Sequence, residues 1–338
     1  MKVNAMGLRR GALVATAVAM VWWAGQQGAP VPVSAAAGTW YKGNLHTHTL
    51  NSDGDSSPLE VATWYREQGY RFLVLTDHNY LTEAAQFNPI IGAKEKFLLV
   101  QGEEVTARFA NKHVHVNAID LKGLLLPEQG SSLVETLRKN VDLIRKAGAI
   151  PSVNHPNFHW SMTSKDLIQV EGLTHFEVWN GHPGVNNDGG GESESLDQMW
   201  DAILTAGRRV YGVAVDDAHH FKKFGPTFSN PGRGWVMVRA GALEAGKLAE
   251  SLRAGDFYAS TGVVLEDVER SRTGLRVKIG QTGDFKYTTY FVGAGGQVLA
   301  KTGAMEMGYT FKGSEKYVRA RVEASNGSIA WTQPVWRE

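Results

Sequence analysis

The chain has 338 residues, 43% hydrophobic and 20% charged, with a formal net charge of +1. That length suits one large domain, or a large domain with a small one, and the near-neutral charge lacks the basic footprint of a nucleic-acid binder. Because it contains no cysteine, disulfides, thiolate metal sites and thiol nucleophiles are excluded, so any metal must be held by His, Asp, Glu or Asn.

Residues 1–37 read as an export signal. Lys2, Arg9 and Arg10 precede the apolar run "GALVATAVAMVWWAG", and Ala35, Ala36 and Ala37 form a small-residue cleavage site. The run is short for a membrane span. The expected product is therefore exported, periplasmic or extracellular, with no stable membrane span, and removing the segment lowers the net charge to −2, which gives no basic signature for nucleic acid. The paired arginines hint at twin-arginine export.

Strand-like and helical patterns then alternate. "TWYKGNL" predicts a strand. "SPLEVATWYREQGY" predicts a helix capped by Ser57, with Pro58 in its first turn and Gly69 near its end. "RFLVLT", "FLLVQG", "AIPSV", "HFEVW" and "RRVYGVAV" read as strands, and "HVHVNAID" alternates with period two. "SLVETLRKNVDLIRKAG" and "SLDQMWDAILTAG" read as helices. About seven strands separated by helices predict a β/α arrangement over residues 38–262. The polar residues His46, Asp77, Glu104, His155, Asn180 and Asp217 fall at strand ends. A barrel brings such ends to one rim, whereas an open sheet strings them along an edge, so a barrel is expected. From Val263 to Glu338, short strands divided by Gly, Asn and Ser turns predict a small antiparallel β-sandwich-like domain without histidine.

The chemistry sits at the strand ends. His46 and His48 lie two apart and share a face in extended chain. "LVLTDHN" supplies Asp77 and His78, "VQGEEVT" Glu103 and Glu104, "KHVHVN" His113 and His115, "IPSVNHPN" His155, and "VAVDDAHHF" Asp216, Asp217, His219 and His220. Burying so many polar groups costs several kcal/mol each, roughly, unless they pair or bind a cation. Histidine and carboxylate without cysteine suit Zn, Mn or Fe. "GxSxG" is absent, which disfavours a serine hydrolase.

The ordered set "HTH…SDG…TDH…GEEVT…HVN…NHP…DDAHH" resembles the polymerase and histidinol phosphatase (PHP) family of metal-dependent hydrolases. Phrases such as "WYKGNLHTHT", "NGHPGVNN" and "GDFYASTG" resemble its exported, carbaryl-hydrolase-like branch. The resemblance implies a distorted seven-stranded barrel and two to three divalent ions. By that resemblance His46, His48, Glu104 and Asp217 match a first site. Glu104 bridges to a second site with His115 and His155, and Asp53, His78 and His219 match a third. Glu103 for Glu104, and His113 for His115, are the open alternatives. His78 or Asp77 is expected to protonate the leaving group, with Asp77 also a partner orienting His78. Asn180, His182 and Lys222 are expected to contact a small-molecule substrate.

The expected activity is metal-assisted hydrolysis, foremost of phosphomonoesters or nucleotide phosphates. A carboxyl-ester or aryl-carbamate hydrolase is the alternative, and a non-catalytic metal-dependent binding module stands third. Twin-arginine export predicts that Arg9→Lys with Arg10→Lys retains the protein inside the cell, read by fractionation. Unchanged export overturns that reading.

Overall fold

The computed structural model describes Met1, residues 38–92 and residues 96–337. The expected export signal lies outside these residues, apart from Met1. Among the described residues no helix is long and apolar enough to cross a membrane.

The chain alternates from the start: β1 (Thr39–Asn44), α1 (Pro58–Glu67), β2 (Phe72–Leu75), α2 (Ala84–Ile91), β3 (Leu98–Phe109), β4 (Lys112–Ile119), α3 (Leu133–Lys146), β5 (Ile150–Val153), α4 (Ser164–Ile168), β6 (His175–Asn180), α5 (Leu196–Thr205) and β7 (Tyr211–Val215). Local chemistry explains the boundaries. Ser57 caps α1 in a reciprocal box: its hydroxyl accepts from Glu60 N at 3.4 Å, and Glu60 Oε2 accepts from Ser57 N at 2.8 Å. Pro58 opens the first turn, where no N–H partner is needed. In α3, Leu137, Val141 and Ile144 form one buried stripe at helical spacing. Burial stabilises each by about 1.5–3 kcal/mol.

Strands β1 to β7 lie side by side in chain order. Pairs β1–β2, β2–β3, β5–β6 and β6–β7 are parallel, whereas β4 runs antiparallel to both β3 and β5. Beyond the strand ends, Asp217 N donates to His46 O at 3.0 Å and His48 N donates to Ala218 O at 2.9 Å. These bonds join the first and last members of the run.

The second part begins with β8 (Trp235–Ala240), α6 (Ala245–Ala254) and β9 (Phe257–Ser260). It continues with β10 (Val264–Ser271), β11 (Gly274–Gly280), β12 (Tyr287–Val292), β13 (Val298–Thr302), β14 (Glu306–Thr310), β15 (Tyr317–Ala324), β16 (Ile329–Thr332) and β17 (Val335–Trp336). Strand β8 pairs antiparallel with the outer side of β1, and β9 links β8 to β16. The expected boundary at residues 262/263 thus falls between β9 and β10, but the main sheet runs across it. Strands β10, β11 and β14 make a separate antiparallel sheet. Val268, Val277 and Tyr309 of that sheet share a buried cluster with Phe291 and Val322 of the main one. From Gly38 onward the described residues form one compact unit.

Helix α5 is fastened to β15 by a buried ion pair. Arg319 is fully buried and places Nε and Nη2 at 2.8 and 2.7 Å from the two Asp201 oxygens. Asp201→Ala is therefore expected to destabilise the chain by roughly 3 kcal/mol, because it leaves the buried guanidinium with Asp197 Oδ1, at 3.1 Å, as its remaining carboxylate partner. Urea unfolding checks the loss.

Candidate metal centre

Four chain segments following strands, together with β3 and β4, deliver side chains to one point. His46, His48 and Asp53 follow β1, and His78 follows β2. Glu104 lies within β3 and His115 within β4. His155 follows β5, while Asp217 and His219 follow β7. All nine residues that the PHP-type pattern marks are brought together. Their ligand atoms form four overlapping groups in which all atoms lie within 4.8 Å of one another. These are His48 with Asp53, His78 and His219; His46 with His155 and Asp217; His46 with His48 and Glu104; and His78 with Glu104 and His115. Glu104 belongs to two groups, as do His46, His48 and His78. The grouping otherwise differs from the expected partition: His48 also reaches the Asp53 group, and His155 sits with Asp217.

Both open alternatives resolve. Glu103 turns away from the cluster, and its Oε2 accepts from Leu125 N at 2.9 Å. His115 Nδ1 lies 3.0 Å from Glu104 Oε1, whereas His113 joins no group and edges the cavity instead.

The donor set fits divalent cations. Glu104 Oε2 is buried and makes no aligned hydrogen bond. It nevertheless stands 3.5 Å from both His46 Nε2 and His48 Nε2, and 2.8 Å from His78 Nδ1. Asp217 Oδ1 lies 3.3 Å from His46 Nε2 and 3.2 Å from His48 Nε2. Carboxylates and imidazole nitrogens thus converge with their charge uncompensated unless protons or cations lie between them. The outer nitrogens are held for this arrangement. His46 Nδ1 sits 2.7 Å from Glu177 Oε1, and His219 Nδ1 donates to Asp217 O at 2.9 Å, leaving each Nε2 toward the cluster.

Charges in the metal-free chain follow from the same crowding. Burial opposes protonation of His78, but Glu104 and then Asp53 outweigh it and raise the imidazole to about 10. Burial is likewise overcome at His46 by Asp217, Glu104 and Glu177, which hold it well above its ordinary value. His48, buried and beside His219, falls to about 3. Burial works against the charged forms of Glu104 and Asp217, yet the surrounding histidines keep both well below the usual carboxylate range. Protons on histidine thus supply the positive charge that the carboxylates need.

Sequence reasoning missed Glu177. It is a fully buried acid in β6, and its carboxylate also accepts from His155 N at 2.7 Å and Asn180 Nδ2 at 2.7 Å. Asn154, equally unmarked, donates to Glu104 Oε1 at 2.7 Å. An ionisable residue inside the apolar strand "HFEVWN" was the available signal.

Three residues expected to act on the substrate or leaving group lie outside the cavity lining. Asp77 lines no part of the cavity. It accepts from Thr49 N at 2.7 Å, from both Ser52 Oγ and Thr82 Oγ1, and from Thr49 Oγ1. It therefore pins the turn carrying Asp53, and no hydrogen bond of its carboxylate goes to His78. Asn180 is fully buried and off the cavity lining: Nδ2 serves Glu177 and Asp217, and Oδ1 accepts from His182 N. Lys222 is exposed and lies outside the cavity lining, because Asp55 holds its backbone N–H and that of Phe221 at the surface. His182 does line the cavity, which measures about 390 Å³ and is otherwise walled, beyond the ligand candidates, by His113, Phe158, His220 and Ser229.

Two marked residues sit in left-handed backbone, His155 at φ 27° and Asp217 at φ 49°. Such strain concentrates at functional sites. Beside Asp217, the Asp216 carboxylate accepts from Tyr65 Oη, Gly232 N, Arg233 N and Gly234 N, which folds the chain back after β7.

No protein-family model matches the sequence, and no curated protein matches it. Solved structures do. A Bacteroides vulgatus two-domain protein, described as containing a predicted PHP-like metal-dependent phosphoesterase, aligns at TM-score 0.50 and 19% identity over 90% of this chain and 98% of its own. An amidohydrolase from Chromobacterium violaceum aligns at TM-score 0.39 and 16% identity, over 56% of this chain and 93% of its own. The first likeness establishes the fold: this chain has the PHP-like fold, as the motif set implies.

Glu177→Ala is expected to lower divalent-metal affinity about 10- to 100-fold by freeing the His46 ring, measured by competition with a chelator. Metal loading near pH 8 should release protons, since ligating imidazole must be neutral while His78 and His46 are protonated in the metal-free chain. The release should diminish as pH rises toward 10, the value of His78. Calorimetry in buffers of different ionisation heat reads it.

Proposed function

We propose that the protein is a metal-dependent hydrolase of phosphate esters, acting on a small molecule. The observation that carries this reading is the pair of carboxylates, Glu104 and Asp217, each flanked by several imidazoles at one cavity floor. When bound, two to three divalent ions there supply an activated water and positive charge beside the reacting centre; we take them to be Mn, Zn or Fe. The residues of the chain do the remaining work. Glu177, Asn154 and Asn180 hold the donors in place. His78 has the most exposed imidazole among the ligand candidates, at 26% of its side chain, and is the ligand candidate that a small molecule reaches most readily.

The cavity wall favours phosphate over aryl carbamate. Beyond the ligand candidates it offers three histidines and a serine, with Phe158 as its one apolar ring among the described residues. Polar hydrogen-bonding walls suit an oxygen-rich anion, whereas an aryl leaving group suits an apolar pocket. The name of the Bacteroides vulgatus protein points the same way. We further read the bonds between the segments after β1 and β7 as closing the expected seven-stranded barrel. In the same reading, residues 263–338 are a sandwich-like appendage and the mature protein is exported.

The test is inorganic phosphate release from a panel of phosphomonoesters and nucleotide phosphates with Mn, Zn or Fe, beside aryl carbamates and esters. Phosphate release is expected, and its loss in His46→Ala with His48→Ala. Silence toward every phosphoester, with turnover of a carbamate, overturns the reading in favour of the carbaryl-hydrolase-like branch.

A further inference from the structure

We infer that His182 is a fixed hydrogen-bond donor to an anionic oxygen of the substrate, with its proton on Nε2 and its ring seated by Gly184. The inference rests on the phosphoesterase reading for the identity of that oxygen, and on the chain's own geometry for the donor.

Three histidines outside the ligand groups edge the cavity: His113, His182 and His220. They are not equivalent. His220 Nδ1 meets Ser229 Oγ at 3.1 Å, and His113 Nε2 lies 3.5 Å from an Arg108 nitrogen. A hydroxyl can give or take a proton, so it leaves the His220 tautomer open, and the Arg108 contact is long. At His182 the partner is Gly184 N, 3.0 Å from Nδ1. A backbone N–H can only donate, so Nδ1 is the acceptor and the neutral ring carries its proton on Nε2. A nitrogen in that state offers a metal no lone pair, which separates His182 from the ligand histidines around it.

Direction follows from Gly184. A Cβ at that position would stand 3.1 Å from both Nδ1 and Cε1 of His182, and 3.0 Å from the Phe158 ring. The Nδ1–Cε1 edge therefore lies against the Gly184 backbone, and the Nε2–Cδ2 edge faces the opposite way. Phe158 stands edge-on to the ring at 5.6 Å, and the His219 ring is also 5.6 Å away. Among the described residues Nε2 has no protein partner. The base of the residue is equally constrained. His182 N donates to Asn180 Oδ1 at 2.8 Å, while Asn180 Nδ2 reaches Glu177 Oε2 and Asp217 Oδ2 at 2.7 and 3.1 Å. One amide thus sets both a ligand carboxylate and the start of the donor. A rigid, unpartnered N–H beside a cation site suits an oxygen that bears negative charge.

The experiment uses the zinc-loaded full chain. Nitrogen-15 spectra of the histidine rings near neutral pH should show His182 protonated at Nε2, and inorganic phosphate should shift that resonance. In turnover of a phosphomonoester, His182→Phe should lower kcat/KM about ten- to a hundredfold, the cost of one hydrogen bond to a charged group, with metal content unchanged. His182→Gln, which restores an N–H, should recover part of the loss. Gly184→Ala should weaken phosphate binding by displacing the ring. A proton on Nδ1 overturns the inference. So does phosphate that perturbs the cluster histidines but leaves His182 unmoved, with hydrolysis intact. If phosphate perturbs neither and no ester is turned over, the phosphoesterase reading falls and takes the substrate oxygen with it.

Discussion

The carboxylate of Glu104 is carried into the cluster by a strand that outruns its neighbour, and its charge must be met there. Strand β3 spans Leu98–Phe109 while β2 ends at Leu75. Glu104 N still reaches back to Asp77 O at 3.2 Å, so the side chain is fixed at a depth where water cannot solvate it. Left unmatched, a buried carboxylate costs several kcal/mol, roughly. Imidazoles from five other positions surround it, and Asn154 takes a lone pair of Oε1. The histidines are placed to answer this acid, and the outer residues, with Glu177 foremost, are placed to aim the histidines.

That arrangement is costly to the backbone. His155 and Asp217 both occupy the left-handed region, at roughly 1–3 kcal/mol each. Compensation is local: Glu177 accepts the His155 N–H, the Asp217 N–H reaches His46 O, and Asp216 gathers three backbone N–H groups from the returning chain. Glu177 therefore orients His46 and holds His155 in its strained conformation, which couples residues from β6, the β1 end and the β5 end.

Much of this was legible in residue order, because strand ends carry ligands only where the fold gathers those ends. Helix α1 was readable from Ser57, Pro58 and Gly69, and the nine ligand candidates from their motifs. Helix α2 was not, since "AAQFNPII" holds Pro89 inside a short apolar turn and shows no helical stripe. Glu103 and Glu104 could not be separated by type; strand alternation sends one to Leu125 and the other to the cluster. Lys222 stands on a surface loop well past the end of β7, whereas Asp77 and Asn180 lie off the cavity lining for a common reason. A polar residue at a strand end can either face the cavity or brace the loop that does, and sequence position does not distinguish the two.

The hairpin joining β3 and β4 has a consequence for how this chain can change over evolutionary time. Thr106 pairs with His115, Arg108 with His113 and Phe109 with Lys112, around a two-residue turn at Ala110 and Asn111. Side chains alternate along each strand, so a slip of one residue would exchange His115 for a neighbour on the opposite face. A slip of two keeps the face but seats His113 or Asn117 in the place of His115, so any change of register alters the atoms that meet Glu104. Length changes at this exposed turn are therefore tolerated where the loop itself absorbs them, as hairpin loops of about two to five residues do, and not where they move the strands past each other, a constraint set deep inside the molecule.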